Sequence, residues 1–139
     1  MTAAGRVLGL DLGDARIGVA ISDPERRLAV PVGTITTGAP QDLKAIAALV
    51  REHDAVAVVV GHPISMSGAR GPRAQHAEEF AGALRGFLQV PVELHDERLS
   101  TVEADRALRE AGAGGRARRR AVDRSAAAII LQAWLDAQP

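Results

Sequence analysis

Cysteine is absent from this 139-residue chain, and aromatic residues are nearly so: Phe80, Phe87 and Trp134 are all it has. Without cysteine there is no disulfide framework, no thiolate metal site and no cysteine nucleophile. With three aromatics, a nucleic-acid surface built on stacked bases is poorly supplied. No apolar run approaches the length that spans a membrane. The opening MTAAGRVLGLDLG has neither the basic region nor the apolar stretch of a secretory signal, so the expectation is a cytoplasmic protein. An excess of one charge is also missing, since 17 basic residues balance 17 acidic ones.

What is present is aliphatic. Hydrophobic residues make up 47% of the chain, which excludes disorder, and the core has to be built from Ala, Val, Leu and Ile. The length suits one domain over residues 1–139. The charges, though balanced, are unevenly placed. Segment 116–124, RARRRAVDR, holds five arginines and one aspartate, a local charge of +4, and such a patch favours polyanions. Lys44 is the only lysine. Arg grips phosphate oxygens with two parallel hydrogen bonds. A GC-rich genome would also enrich Arg, but it does not explain the clustering.

Periodicity predicts three consecutive strands over residues 6–12, 16–22 and 28–36, joined by turns at Asp14-Ala15 and Asp23-Pro24-Glu25. Short turns imply antiparallel neighbours. Residues 41–53 fit an amphipathic helix, and 55–60 form a continuous apolar run suited to a strand covered on both faces. The run GHPISMSGARG at 61–71 reads as a loop, and a helix over 72–87 opens with Pro72 in its first turn. A strand through Val90, Val92 and Leu94 follows. Ser100-Thr101-Val102-Glu103 then has the S-x-x-E form of a capping box, so a helix should start near Ser100 and run to about Ala111. A last helix is expected over 122–136. The order βββαβαβαα describes a mixed five-stranded α/β sheet flanked by helices, the ribonuclease H-like arrangement.

Three acids stand where solvated carboxylates are not expected. In the first strand a period of two puts Leu8, Leu10 and Leu12 on the core face and Val7, Gly9, Asp11 and Gly13 on the other. Asp11 therefore shares its face with two glycines, where a backbone or ligand can come close. Starting a turn is the ordinary alternative for an Asp before Gly. Glu97 ends a strand just before a helix, where α/β sheets bind ligands, beside His95, Asp96 and Arg98. A polar strand-to-helix turn is its ordinary alternative. Asp123, in the predicted last helix, falls on one stripe with Ala126, Ala127, Ile130 and Trp134, so it points at the body of the protein. An N-terminal Asp facing the helix dipole is the plainer reading there.

The segments DLGDARIGVAISD at 11–23, GHPISMSG at 61–68, DERLSTVEA at 96–104 and the closing VDRSAAAIILQAWL resemble the YqgF family, also called RuvX or Holliday-junction-resolvase-like proteins. The resemblance spans almost the whole chain. It implies a ribonuclease H-like nuclease processing the 5′ end of pre-16S rRNA, and also cutting of branched DNA junctions. Carried over by position, the family's acidic triad falls on Asp11, Glu97 and Asp123, which are thus expected both as catalytic residues and as ligands of Mg²⁺ or Mn²⁺. Two ions about 3.5–4 Å apart would activate water and stabilise the leaving oxygen. Arg116, Arg118, Arg119, Arg120 and Arg124, together with Arg16 and Arg98, are the expected contacts to nucleic acid. His62 stands where the family usually has Leu or Asn, and Arg120 where it commonly has Lys, so neither is assigned to the chemistry. Structured RNA and branched DNA are the expected partners, and pairing of two chains into a homodimer is left open. Two rivals remain: a nucleotide-binding module, because strand-DLG-turn-strand also opens actin-like and sugar-kinase ATPases, and a nucleic-acid-binding module without chemistry.

Overall fold

The alternation of large and small residues in the first strand decides how the sheet is covered. In the computed structural model, which describes residues 5–65, 67–99 and 125–139, β1 (Val7–Leu12) lies at the centre of a sheet of order β3-β2-β1-β4-β5. β2 (Arg16–Ser22) and β3 (Ala29–Thr36) return through short turns, β2 antiparallel to β1 and β3 antiparallel to β2. β4 (Ala57–His62) and β5 (Val92–Asp96) extend the other side as parallel strands. Parallel neighbours need a crossover. It is supplied by α1 (Gln41–Glu52), which leads into β4, and by α2 (Pro72–Phe87), which leads into β5. The expected mixed five-stranded sheet is the one observed.

Both faces are buried. Leu8, Leu10, Ile17, Val19, Val58 and Val60 pack toward the helical side that carries Ile46, Ala77, Ala81 and Leu84. On the other face Val7, Ala20, Ala57 and Val59 pack against α3 (Ala126–Asp136) through Ala127, Ile130, Leu131, Trp134 and Leu135. The strand pattern assigned the core to the Leu8 face alone, yet Val7 is as fully buried as Leu8. Gly9 explains this, because a Cβ there would stand 2.7 Å from the Leu131 Cβ. The missing side chain lets the helix sit directly on the strand. Gln132 then ties α3 to the start of β3. Its side-chain carbonyl accepts from the Ala29 N–H at 2.9 Å, and its amide donates to the Arg27 carbonyl at 3.0 Å.

Some boundaries move for local reasons. β4 begins at Ala57 rather than residue 55, because Asp54 turns at φ 51° and the Ala55 N–H still bonds the Val50 carbonyl at 2.9 Å. The chain is finishing its exit from α1 there. β5 ends at Asp96, and Glu97 opens a 3-10 turn, Glu97–Leu99. The last helix begins at Ala126, not 122: Ser125 caps it by accepting from the Ala128 N–H at 3.1 Å, the usual role of Ser before a helix-forming run. Asp123 and the inward direction expected of it lie outside the described residues. Ala127, Ile130 and Trp134 are buried as the stripe requires. The helix expected from Ser100 also lies outside the described residues.

The edge strand β3 is irregular. Gly33 faces Val19 and Pro31 faces Ala20, so Val32 has no partner on β2. A bulge and a proline both blunt an open edge against strand addition. Among the described residues no helix is long and apolar enough to cross a membrane.

Candidate active site

The parallel pair of β1 and β4 sets the site. Leu10 lies opposite Val60, so carrying the register one residue further brings Asp11 beside Gly61, at roughly the 4.8 Å spacing of neighbouring strands. Asp11 is on the α3 face, with Gly18 across from it on β2. A Cβ on Gly18 would be 3.8 Å from the Asp11 Cβ and 3.6 Å from the Ala127 Cβ. At Gly61 a Cβ would fall 2.6 Å from the Glu97 Oε2 and 2.7 Å from the Ile130 Cδ1. The Glu97 carboxylate therefore occupies space that any other residue at 61 would fill.

Glu97 is 1% exposed. A carboxylate buried so far is costly unless cations or donors face it. Asp11 is half-buried. Thus Glu97, in the turn after β5, reaches the Gly61 position, and by register Asp11 follows on the strand next to it. Their hard oxygen donors suit Mg²⁺ or Mn²⁺, so the donor set fits the expected ions. No cluster of three metal-binding side chains occurs among the described residues, and Asp123, the third expected ligand, lies outside them.

Around this pair the charges are tied down. The Arg98 guanidinium forks onto Asp96, with Nε at 3.1 and 3.0 Å from the two carboxylate oxygens and the terminal nitrogen at 2.6 Å. That hydrogen bonding holds the Asp96 carboxyl below the usual range, against the opposing effect of burial. Arg98, expected to meet nucleic acid, thus has its fork on a carboxylate of its own chain. Glu78 on α2 binds the Arg70 guanidinium, with Nε at 2.8 Å, and its Oε2 lies 2.7 Å from the His62 Nε2. The Arg70 hydrogen bonds chiefly, helped by His62 and opposed by burial, lower the Glu78 carboxyl to about 2. Together these three side chains pin the loop after β4 to α2. His95 is buried, its Nε2 has no hydrogen-bond partner among the described residues, and burial pushes the imidazole toward its neutral form.

At the C-terminal ends of β1 and β4 a cleft of about 190 Å³ opens, lined by Leu12, Gly13, Asp14, Gly61, Pro63, Pro72, Arg73, His76, Ala77 and Glu97. Open α/β sheets bind ligands in this place. Arg16 is exposed at the start of β2, next to the Gly13 edge of the cleft, where the Gly13 N–H bonds the Arg16 carbonyl at 2.9 Å. Arg116, Arg118, Arg119, Arg120 and Arg124 lie outside the described residues. Sequence reasoning passed over Arg73 and His76. The available signal was their three-residue spacing at the start of a Pro-initiated helix.

Comparison with known proteins shows the family and the fold. The profile of the RuvX family, described as Holliday junction resolvase, matches residues 5–137. A relative from Thermobifida fusca is 51% identical over 139 residues, covering 94% of this chain and 87% of its own. One from Pelotomaculum thermopropionicum is 46% identical over 135 residues, covering 96% and 88%. Both carry the name "Putative pre-16S rRNA nuclease". Among solved structures, T. thermophilus RuvC in complex with a Holliday junction substrate matches with a TM-score of 0.51 at 18% identity, over 96% of this chain and 94% of that one. That last likeness is one of fold.

Proposed function

Because this chain belongs to the RuvX family, we propose that it is a cytoplasmic, divalent-metal-dependent endonuclease that hydrolyses phosphodiester bonds in structured nucleic acid, at the 5′ end of pre-16S rRNA. What supports this reading is the buried Glu97 carboxylate filling the space at Gly61, with Asp11 following on the neighbouring strand by register. Hydrolysis needs an attacking water made nucleophilic and a leaving oxygen stabilised, and bound Mg²⁺ or Mn²⁺ ions, two in number, supply both. Asp11, Glu97 and Asp123 would hold the ions. Gly61 leaves room for the Glu97 carboxylate, and α3 closes the site from one side against water. The arginines of segment 116–124 and Arg16 would position the phosphate backbone, which gives affinity with little sequence specificity. His62 stays outside the chemistry, since its ring is held by Glu78.

Branched DNA is the second reading, favoured by the family's description as a Holliday junction resolvase. Incubating the protein with pre-16S rRNA and with a four-way DNA junction, with and without Mn²⁺, and mapping the cuts decides between them. Metal-dependent cleavage at the rRNA 5′ end supports the first reading, and cleavage of the junction alone supports the second. The absence of both cuts with Mn²⁺ rejects the enzyme. Metal binding has its own readout. Ions that bind only the folded state stabilise it by about 2.7 kcal/mol at 100 times their Kd, so Mn²⁺ should raise the melting temperature where matched NaCl does not. A homodimer is the remaining partner expectation, and a sedimentation series that finds only monomer rejects it.

A further inference from the structure

The cleft at the ends of β1 and β4 is lined by both acids and bases. Asp14 and Glu97 contribute to its lining, as do Arg73 and His76. Other cations near it are engaged within the chain: Arg70 with Glu78, Arg98 with Asp96. Arg73 differs. It is exposed, and its guanidinium makes no hydrogen bond or ion pair with any described residue. His76 is three residues further along α2 and so lies on the same helix face, its ring 6.3 Å from that of Phe80.

We propose that Arg73 and His76 hold a backbone phosphate of the substrate strand next to the one that is cut. This rests on the nuclease reading and names a binding subsite for it. A strand crossing carboxylates is repelled unless a cation meets a neighbouring phosphate, and Arg73 lines the same cleft as Glu97. Its planar fork matches a phosphate better than an ammonium does. The cleft's volume is that of about six waters, and no Phe, Tyr or Trp lines it. It therefore suits sugar-phosphate backbone rather than stacked bases. The start of α2 contributes in the same sense, since Gly71 at its cap gives no side-chain hydrogen bond to the first turn.

Nucleic-acid binding measured over a range of salt concentrations, with cleavage kinetics on the same full-length preparations, tests the proposal. Arg73→Ala should flatten the slope of log K against log salt by roughly 0.7 to 0.9, one phosphate contact, and raise KM several-fold with kcat changed far less. Arg73→Lys should restore the slope but only part of the affinity. His76→Ala should raise KM by less. Arg51→Ala, at the far end of α1, should change neither quantity. An unchanged slope for Arg73→Ala, in a variant that melts like the wild type, overturns the subsite, and so does an equal change in Arg51→Ala. A wild type that binds but never cuts overturns the nuclease reading, while the slopes still decide the subsite. One that binds neither RNA nor junction DNA overturns both.

Discussion

The two faces of the sheet are built from different materials. The face toward α1 and α2 is filled by branched side chains, Leu8, Leu10, Ile17, Ile46 and Leu84 among them. The face toward α3 has Gly9, Gly18 and Gly61 in its three central strands, and there the helix meets the sheet almost at backbone contact. One face holds the fold by volume. The other gives up volume, and in that room the Glu97 carboxylate lies buried at Gly61 and Asp11 stands across from Gly18. Close packing and the acidic pair have a single cause in the absent side chains.

Substitutions that treat the faces unequally test this contrast. The largest effect is expected on activity: Asp11→Asn or Glu97→Gln should reduce cleavage by at least ~10³-fold with the fold kept, and the double variant should lose little more, because the acids act as a unit. Circular dichroism with single-turnover cleavage measures both, and near wild-type rates in a folded, Mn²⁺-loaded variant reject the site. Glu97→Gln should also lose most of the Mn²⁺-dependent rise in melting temperature.

Next comes stability. Leu10→Ala, on the voluminous face, should cost about 2–5 kcal/mol in urea unfolding and leave the Mn²⁺ response of the folded protein intact. Gly61→Ala should cost less, about 1–3 kcal/mol of overpacking, yet abolish the metal response by pushing the Glu97 carboxylate aside. Should Gly61→Ala keep the full response, the carboxylate does not need that space. Gly9→Ala meets Leu131 rather than an acid. It should show a similar stability loss with the metal response retained.

The smallest effect concerns Glu78. Its folded carboxyl is depressed from 4.5 to about 2, so it stabilises the fold fully above pH 4.5, and that contribution is lost as pH falls toward 2. The pair is exposed to solvent, which keeps the effect small. Melting temperatures of wild type and Glu78→Gln should therefore differ near neutrality and converge in acid. Parallel curves would show that the Arg70–Glu78–His62 contact contributes nothing.

Much of the sheet was legible because its signals are local. Alternation in β1, the Asp23-Pro24 turn and the apolar run of β4 each specify their own backbone, and Asp11 and Glu97 were chosen from strand ends. What escaped depends on distant partners. Nothing near Gly9 in sequence announces that Leu131 will press on it, so although helices were expected on both faces, the burial of Val7 and the close approach of α3 to β1 stayed hidden. Ser125 was read as part of a helix because Asp123 and Ala126 share a helical period, and the cap became visible only in its bond to Ala128. Arg73 and His76 look like an ordinary solvated helix start. Their interest comes from Glu97, which the fold brings to the same cleft.

Gln132 reaches across more than a hundred residues to Ala29 and Arg27, and that span has a consequence in time. During synthesis β1, β2 and β3 emerge early, and α3 emerges only after all five strands. Until then the glycine-bearing face has no cover, and the pairing that closes it is of the slow, non-local kind. A nascent chain would thus carry its acids on an open sheet, becoming a competent enzyme only when the final helix docks. Translation itself would delay the first cut until α3 has emerged.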